Sequence, residues 1–169
     1  MWIFGYGSLM WDGWETEWTC LRRAMATLPG HRRTFSKASV TNWGTKEVPC
    51  PTLNLELDAS GTCIGMAFEF SDDQEQQVVR FLENREGKNF LLEKHQIRLE
   101  DNTEIQARIP IYRGKNLLPA TAQKPVLARG AAGRSGLCLD YVKGIAEKLA
   151  ELGIADPVVT EFWREIQQR

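Results

Sequence analysis

The stretch Trp2-Ile3-Phe4-Gly5-Tyr6-Gly7-Ser8-Leu9 joins a short apolar run to a loop with two glycines. The run predicts a buried strand, and the glycines predict a tight turn directly after it. Glycines let amide N–H groups approach a ligand closely, so residues Phe4 to Leu9 suit a carboxylate or an oxyanion. A purely structural turn is the alternative. The spacing does not match the dinucleotide pattern GxGxxG or the nucleophile elbow GxSxG.

The composition predicts a single globular domain over residues 1–169. The chain has 169 residues, of which 43% are hydrophobic and 25% are charged, as is ordinary for a globular protein. Its formal net charge of −1 provides no field that would attract nucleic acid or anionic lipid. The first residues do not resemble a signal peptide, and no run approaches the ~20 apolar residues of a membrane span. We therefore expect a cytoplasmic protein that binds neither nucleic acid nor membrane.

The predicted strands outnumber the helices and are mostly joined by short turns, which indicates the α+β class with an antiparallel or mixed sheet. Pro29-Gly30 predicts a turn between two antiparallel strands at residues 20–28 and 31–38. A second turn is expected at residues 58–61. The other predicted strands cover residues 53–57, 63–70, 90–100 and 104–113, and Asp101-Asn102 is expected to join the last two.

A helix is predicted between these strands, and a candidate catalytic group lies at its end. Ser71 and Gln74 form a capping-box pattern, and Gly87 predicts the end of the helix. Glu86 in the last turn faces the negative end of the helix dipole. That position indicates either a solvated helix end or a carboxyl whose pKa is raised, as a general base near neutral pH requires. Glu83 fits the second interpretation almost equally well.

The C-terminal part is predicted to hold a long loop and two helices. Residues 114–134 are rich in Pro, Gly, Ala and basic side chains, which is typical of a loop. Ser135 is the expected cap of a helix at about 136–152, which Gly153 ends. Asp156-Pro157 indicates the N-cap and first residue of a last helix.

A second glycine-rich motif lies between the long loop and this helix. Gly130, Gly133 and Gly136 recur at intervals of three, with Arg129 and Arg134 beside them. The motif could hold a phosphate at a helix N-terminus, but it lacks the Gly-Lys-Ser/Thr of a P-loop. We therefore favour a flexible loop followed by a capped helix.

The cysteines and histidines do not form a metal-binding pattern. No two cysteines have CxxC spacing, and the two histidines, His31 and His95, lack partners nearby in the sequence. We expect the cysteines to be mostly buried free thiols in a reducing compartment. The four are Cys20, Cys50, Cys63 and Cys138.

Tryptophans are concentrated at the start of the chain, around the first glycine loop. Trp2 and Trp11 flank the loop, and we expect them to pack against it. Trp14 and Trp18 are expected at the rim of a pocket, since Asp12-Gly13 makes a helix there unfavourable. A rigid loop bounded by large side chains is the resulting prediction.

Five segments, in this order along the chain, resemble the gamma-glutamylcyclotransferase superfamily, most closely its ChaC-like branch. They are Phe4–Trp11, Leu28–Arg33, Thr62–Phe70, Phe81–Glu86, and Ser135–Gly136 with Asp140–Tyr141 and Leu152–Asp156. The resemblance implies a small mixed or antiparallel β-barrel with flanking helices. It also implies cyclisation of a gamma-glutamyl group to 5-oxoproline, with glutathione as substrate and cysteinylglycine as the second product, without a cofactor or metal.

By position, the resemblance assigns the catalytic carboxylate to Glu86 and the substrate-binding backbone to residues Phe4 to Leu9. Two departures bear on specificity. Phe90 stands where the family usually has Tyr, and Cys138 stands where it has Asn. The alternatives are a cyclotransferase of the same fold acting on another gamma-glutamyl amine or gamma-glutamyl-amino acid, and a non-catalytic module that binds a metabolite.

Overall fold

The structure is a computed structural model that describes residues 1–168. The chain divides into two compact units. The barrel unit contains Met1–Arg32 and Leu55–Gly114, and the helical unit contains Arg33–Asn54 and Lys115–Arg169. Across the described residues, no helix is both long enough and apolar enough to cross a membrane.

Five strands close into a barrel in the order β1-β3-β2-β4-β5. β1 is antiparallel to β3, with Gly5 opposite Met66, and parallel to β5, with Trp2 opposite Ala107. The parallel pair closes the barrel and makes it mixed, so the predicted α+β class with a mixed barrel is confirmed. The strands are β1 (Trp2–Gly5), β2 (Cys20–Ser39), β3 (Cys50–Phe70), β4 (Phe90–Leu99) and β5 (Glu104–Tyr112).

The predictions of turns at Pro29-Gly30 and at residues 58–61 are wrong, because β2 and β3 each continue through them. Gly30 has φ of +71°, which bends β2 locally without reversing it. In β3, Asp58 accepts hydrogen bonds from the backbone and side chain of Ser60, and the strand still continues to Phe70. The turn at Asp101-Asn102 between β4 and β5 is present, with Asn102 at φ of +67°.

The helix of the barrel unit, α1 (Glu75–Glu86), begins after a 3-10 turn at Asp72–Gln74. The Ser71 hydroxyl lies 3.3 Å from Gln74 Oε1, although neither side chain caps a backbone amide. Gly87 has φ of +88° and ends the helix where the sequence predicts. The end of α1 therefore places Glu86 at a fixed point on the barrel unit.

Gly65 leaves room for the strand that leads into the glycine loop. A Cβ atom at Gly65 would overlap the carbonyl oxygen of Gly5 and would lie 2.6 Å from Cζ of Phe4. Since the obstacles include backbone of β1, they cannot move aside cheaply. We expect Gly65→Ala to lower the free energy of unfolding by about 1–3 kcal/mol in urea denaturation.

Gly144 supplies the matched control for this substitution. It lies in α3 (Cys138–Glu151), and a Cβ there meets no atom within 4 Å. Gly144→Ala should raise the free energy of unfolding by about 0.4–1 kcal/mol, because alanine restricts the unfolded chain and favours helix. Equal unfolding midpoints for Gly65→Ala and the wild type would contradict the packing argument.

The helical unit contains three helices and a small hairpin. Residues 114–134 are not a continuous loop as predicted, because α2 (Lys124–Gly130) lies within them, with Pro125 in its first turn. Ser135 does not cap α3; Leu137 precedes the helix and Ser135 donates its amide to Asn42. The remaining elements are β6 (Ala132–Gly133), β7 (Gly136–Leu137) and α4 (Pro157–Gln167).

Asp156 has two roles in the helical unit. Its Oδ1 accepts a hydrogen bond from the amide of Val159 at 3.0 Å, which confirms the predicted N-cap of α4. Its Oδ2 pairs at 2.9 Å with Arg33, whose side chain is 1% exposed. The carboxylate of Asp156 offsets part of the cost of burying this guanidinium.

The prediction that the cysteines are free thiols is wrong for two of them. Cys50 and Cys138 form a disulfide that joins the first residue of β3 to the first residue of α3. Cys20 and Cys63 are not disulfide-bonded, and Cys63 is fully buried. The two bonded residues are separated by 88 positions, so nothing local in the sequence indicated the pairing.

Candidate active site

The predicted ligand loop is a tight turn at the end of β1. Residues Phe4, Gly5 and Tyr6 are buried, and a 3-10 turn at Ser8–Met10 follows Gly7. The turn is closed by hydrogen bonds from the amides of Met10 to Gly7 and of Trp11 and Asp12 to Ser8. Gly5 has no space for a side chain, because its Cβ would lie 2.9 Å from Cβ of Leu9.

Side chains around the loop hold it in place. Trp14 donates from Nε1 to the carbonyl of Leu9 at 3.0 Å, and Arg23 donates to the carbonyl of Met10 at 2.6 Å. The Tyr6 hydroxyl donates to the carbonyl of Pro110 at 3.0 Å. These bonds anchor both ends of the turn to the barrel.

Trp14 is a core residue, and its predicted place at a pocket rim is wrong. Its side chain is 3% exposed and packs against Phe68 and Phe70, with ring centroids 5.4 Å apart in each case. A short 3-10 turn at Trp14–Glu17 follows Gly13, which has φ of +77° and can turn the chain inward. Trp11 and Trp18 are only half-buried.

Glu86 lies close to this loop through one intermediary, Arg85. Nε of Arg85 donates to Oε1 of Glu86 at 3.2 Å, and Nη2 of the same guanidinium lies 3.4 Å from the Ser8 hydroxyl. Nη2 also pairs closely with Oδ2 of Asp12. The structure therefore brings together the predicted carboxylate and the predicted loop, which are far apart in sequence.

The charges at this cluster are one cation between two carboxylates. Burial disfavours the charged guanidinium of Arg85, but the hydrogen bond and charge of Asp12, together with Glu86, outweigh it and raise the pKa of Arg85. Glu86 is 19% exposed, so a small ligand can reach it from solvent. A partly exposed carboxylate within reach of a ligand can accept and return a proton during a reaction.

Two members of the cluster, Asp12 and Arg85, were not predicted as site residues. Arg85 precedes Glu86 in the sequence, and neighbouring residues on a helix do not normally face one another. Asp12 carries no motif that distinguishes it from a turn residue. Their pairing depends on the approach of the loop to the end of α1, which the sequence does not show.

The other sequence candidates lie in structural roles. Arg129 donates to the carbonyls of Glu165, Ile166 and Gln168 at the end of α4, and Gly133 pairs with Gly136 in the β6–β7 hairpin. The second glycine-rich motif is thus the end of α2 followed by a hairpin, and the prediction of a flexible loop there is wrong. Among residues 1–168, no group of three or more His, Cys, Asp or Glu side chains is placed to hold a metal ion.

The two departures from the family pattern have structural partners. Phe90 packs against Tyr112, with ring centroids 5.2 Å apart. Cys138 is bonded to Cys50 in the disulfide. The rings of His31 in β2 and His95 in β4 contact each other edge to face, with centroids 4.9 Å apart.

A small cleft elsewhere on the barrel unit does not involve the predicted site. Its volume is about 170 Å³, and it is lined by Trp2, Glu75, Lys94 and Arg108, among others. Neither Glu86 nor any residue from Phe4 to Leu9 lines it.

The closed mixed barrel with its flanking helices is the fold of known gamma-glutamyl cyclotransferase structures. The whole chain, residues 1–169, matches the model of the ChaC-like protein family. The chain belongs to that family, and the resemblance stated above is confirmed.

Curated relatives and a solved structure agree with this assignment. The chain is 27% identical to gamma-glutamylcyclotransferase 2-3 of Arabidopsis thaliana, over 99% of this chain and 88% of that one. It is 29% identical to the glutathione-specific gamma-glutamylcyclotransferase of Escherichia coli K12, over 92% and 68%. The crystal structure of a gamma-glutamyl cyclotransferase specific to glutathione from yeast has the same fold, with a TM-score of 0.84 at 16% identity, covering 99% and 96%.

Proposed function

We propose that this chain is a gamma-glutamylcyclotransferase that converts glutathione to 5-oxoproline and cysteinylglycine. The observation that carries the proposal is the contact of one guanidinium with both Glu86 and the Ser8 end of the glycine turn. Membership of the ChaC-like family supports the reaction class, and the name of the Escherichia coli relative supports glutathione as the substrate.

The reaction needs no nucleophile from the protein. The α-amine nitrogen of the glutamyl group attacks its own γ-carbonyl carbon, and the amide bond to the cysteine nitrogen breaks. Glu86 takes the proton that the amine loses and delivers it to the leaving nitrogen, since an amide anion cannot leave by itself. The atoms balance without water, oxidant or metal, and holding the glutamyl chain bent for ring closure supplies much of the remaining acceleration.

We assign substrate binding to the backbone of residues Phe4 to Leu9. The amides of Met10, Trp11 and Asp12 close the turn, which makes them unsuitable for a ligand. We place the substrate at the preceding amides of the loop, within Phe4 to Leu9, where they would hold the α-carboxylate or stabilise the oxyanion of the tetrahedral intermediate.

A substrate panel tests the proposal. Purified protein should release 5-oxoproline, detected by mass spectrometry, from glutathione and not from the other gamma-glutamyl amines and gamma-glutamyl-amino acids offered at equal concentration. Release from another member of the panel at higher kcat/KM would support the second candidate, which Phe90 and Cys138 favour through their departure from the family pattern. Binding without product from any member would identify a metabolite-binding module instead.

Two further expectations, on the domain organisation and the cellular location, belong to this proposal. We propose that residues 1–169 act as one domain, supported by a family model that spans all of them. We also propose a cytoplasmic location, since the cytosol is where glutathione keeps thiols reduced. The disulfide between Cys50 and Cys138 argues in the opposite direction, because thiols in the cytosol are kept reduced.

A further inference from the structure

Arg85 contacts both the candidate base and the substrate turn, whereas a simple surface ion pair joins only two side chains. Its Nε binds Glu86, and its Nη2 binds Asp12 and approaches Ser8. A planar guanidinium presents these donors in a fixed fork, so the position of one carboxylate constrains the position of the other. The side chains of Arg85 and Asp12 are each 27% exposed, so solvent screens the attraction between their charges only in part.

Asp12 is itself held on both sides. Its backbone amide donates to the carbonyl of Ser8 at 3.1 Å, and its Oδ1 accepts from the amide of Trp14 at 3.3 Å. Trp14 is buried and bonded to Leu9. The second oxygen of Asp12 thus faces Arg85 from a rigid support.

The geometry points to Asp12 and Arg85 as positioning residues for the reaction, acting through Glu86. Asp12 orients the guanidinium of Arg85, and this guanidinium holds the Glu86 carboxylate at the edge of the substrate turn. This inference rests on the proposed function of Glu86. It assigns a role to two residues that neither the family match nor the relatives' names address.

Two substitutions test the role. Asp12→Asn and Arg85→Met should each lower kcat for 5-oxoproline formation by about 10- to 100-fold, because a base displaced by about 1 Å loses that much rate. KM should change by less than about 3-fold, since the amides of the turn remain. The double variant should lose no more than the worse single variant, because the two residues act as a unit.

The pH profile separates positioning from simple folding. Removal of the Arg85 charge in Arg85→Met should move the acidic limb of the kcat profile to higher pH by about 0.5–1 unit, since a neighbouring cation favours the ionised carboxylate. Arg85→Lys keeps the charge but lacks the fork. It should therefore keep the acidic limb in place while kcat stays low.

Matched controls come from exposed residues of the same charge outside the cluster. Arg80→Met on α1 and Asp73→Asn in the preceding turn should leave kcat unchanged. Wild-type kcat in both Asp12→Asn and Arg85→Met would overturn the inference. It would also be overturned if the loss of kcat in each variant equalled its loss of folded protein, measured in urea, and the pH profile of kcat did not shift. A wild-type protein that releases no 5-oxoproline from any substrate would overturn the proposed function first, and this inference with it.

Discussion

Glu86→Gln should lower kcat for 5-oxoproline formation by about 10²–10⁴-fold, the usual contribution of a positioned general acid–base. The glutamine amide has nearly the same size and still offers an oxygen to Nε of Arg85, which lies 3.2 Å from Oε1 in the native site. It cannot take the proton from the attacking amine or return one to the leaving nitrogen. The measurement is initial-rate release of 5-oxoproline from glutathione.

Glu83→Gln is the matched control for this substitution. Glu83 lies on the same helix, three residues earlier, and its side chain is exposed. It was the alternative candidate for the base on sequence grounds, so the comparison also decides between them. Equal loss in both variants, or a native rate in Glu86→Gln, would remove Glu86 from the role of base. The urea midpoints of both variants should match the wild type.

Reduction of the Cys50–Cys138 disulfide should lower the free energy of unfolding by about 2–5 kcal/mol. The bond closes a loop with a sequence separation of 88 residues, and a long loop gains more from a cross-link because the unfolded chain loses more freedom. The measurement is urea denaturation of the wild type with and without dithiothreitol, followed by circular dichroism.

Cys138→Ser gives the matched control, since it removes the bond without the reductant. This variant should unfold at the midpoint of the reduced wild type and should not respond to dithiothreitol. Cys20→Ser, at a free and half-buried cysteine, should retain the full response. A wild-type midpoint that does not change with dithiothreitol would contradict the prediction.

The same bond bears on the cytoplasmic proposal. Thiols in the cytosol are kept reduced, so alkylation of Cys50 and Cys138 in a fresh cell extract reports the compartment and the redox state together. Complete labelling of both would place the chain in its less stable, reduced form in cells. Protection of both would argue for an oxidising compartment.

The local pattern predicted several elements correctly. Gly87 ends α1, Asp101-Asn102 turns β4 into β5, and Asp156 caps α4. In each case a residue or dipeptide has a strong preference for one backbone conformation or one hydrogen bond, and that preference acts within a few positions.

Two turn predictions were wrong because strand pairing in the sheet outweighed the local preference for a turn. Pro29-Gly30 and residues 58–61 are typical of turns, yet both lie inside the long strands β2 and β3. Pairing within a closed barrel satisfies the backbone along the strand, so a single left-handed glycine becomes a bend in place of a reversal. Such pairing depends on distant segments and leaves no local sign.

By itself the sequence determined the glycine turn, the α+β class, the helix that ends at Glu86 and the family to which the chain belongs. Each follows from residues close together or from motifs in order along the chain. Tertiary structure alone decided which carboxylates share Arg85 and which cysteines are bonded. Asp12 and Arg85 are 73 positions apart, and Cys50 and Cys138 are 88 apart. Side chains at such separations meet only when the fold has closed, because no local interaction selects the pair.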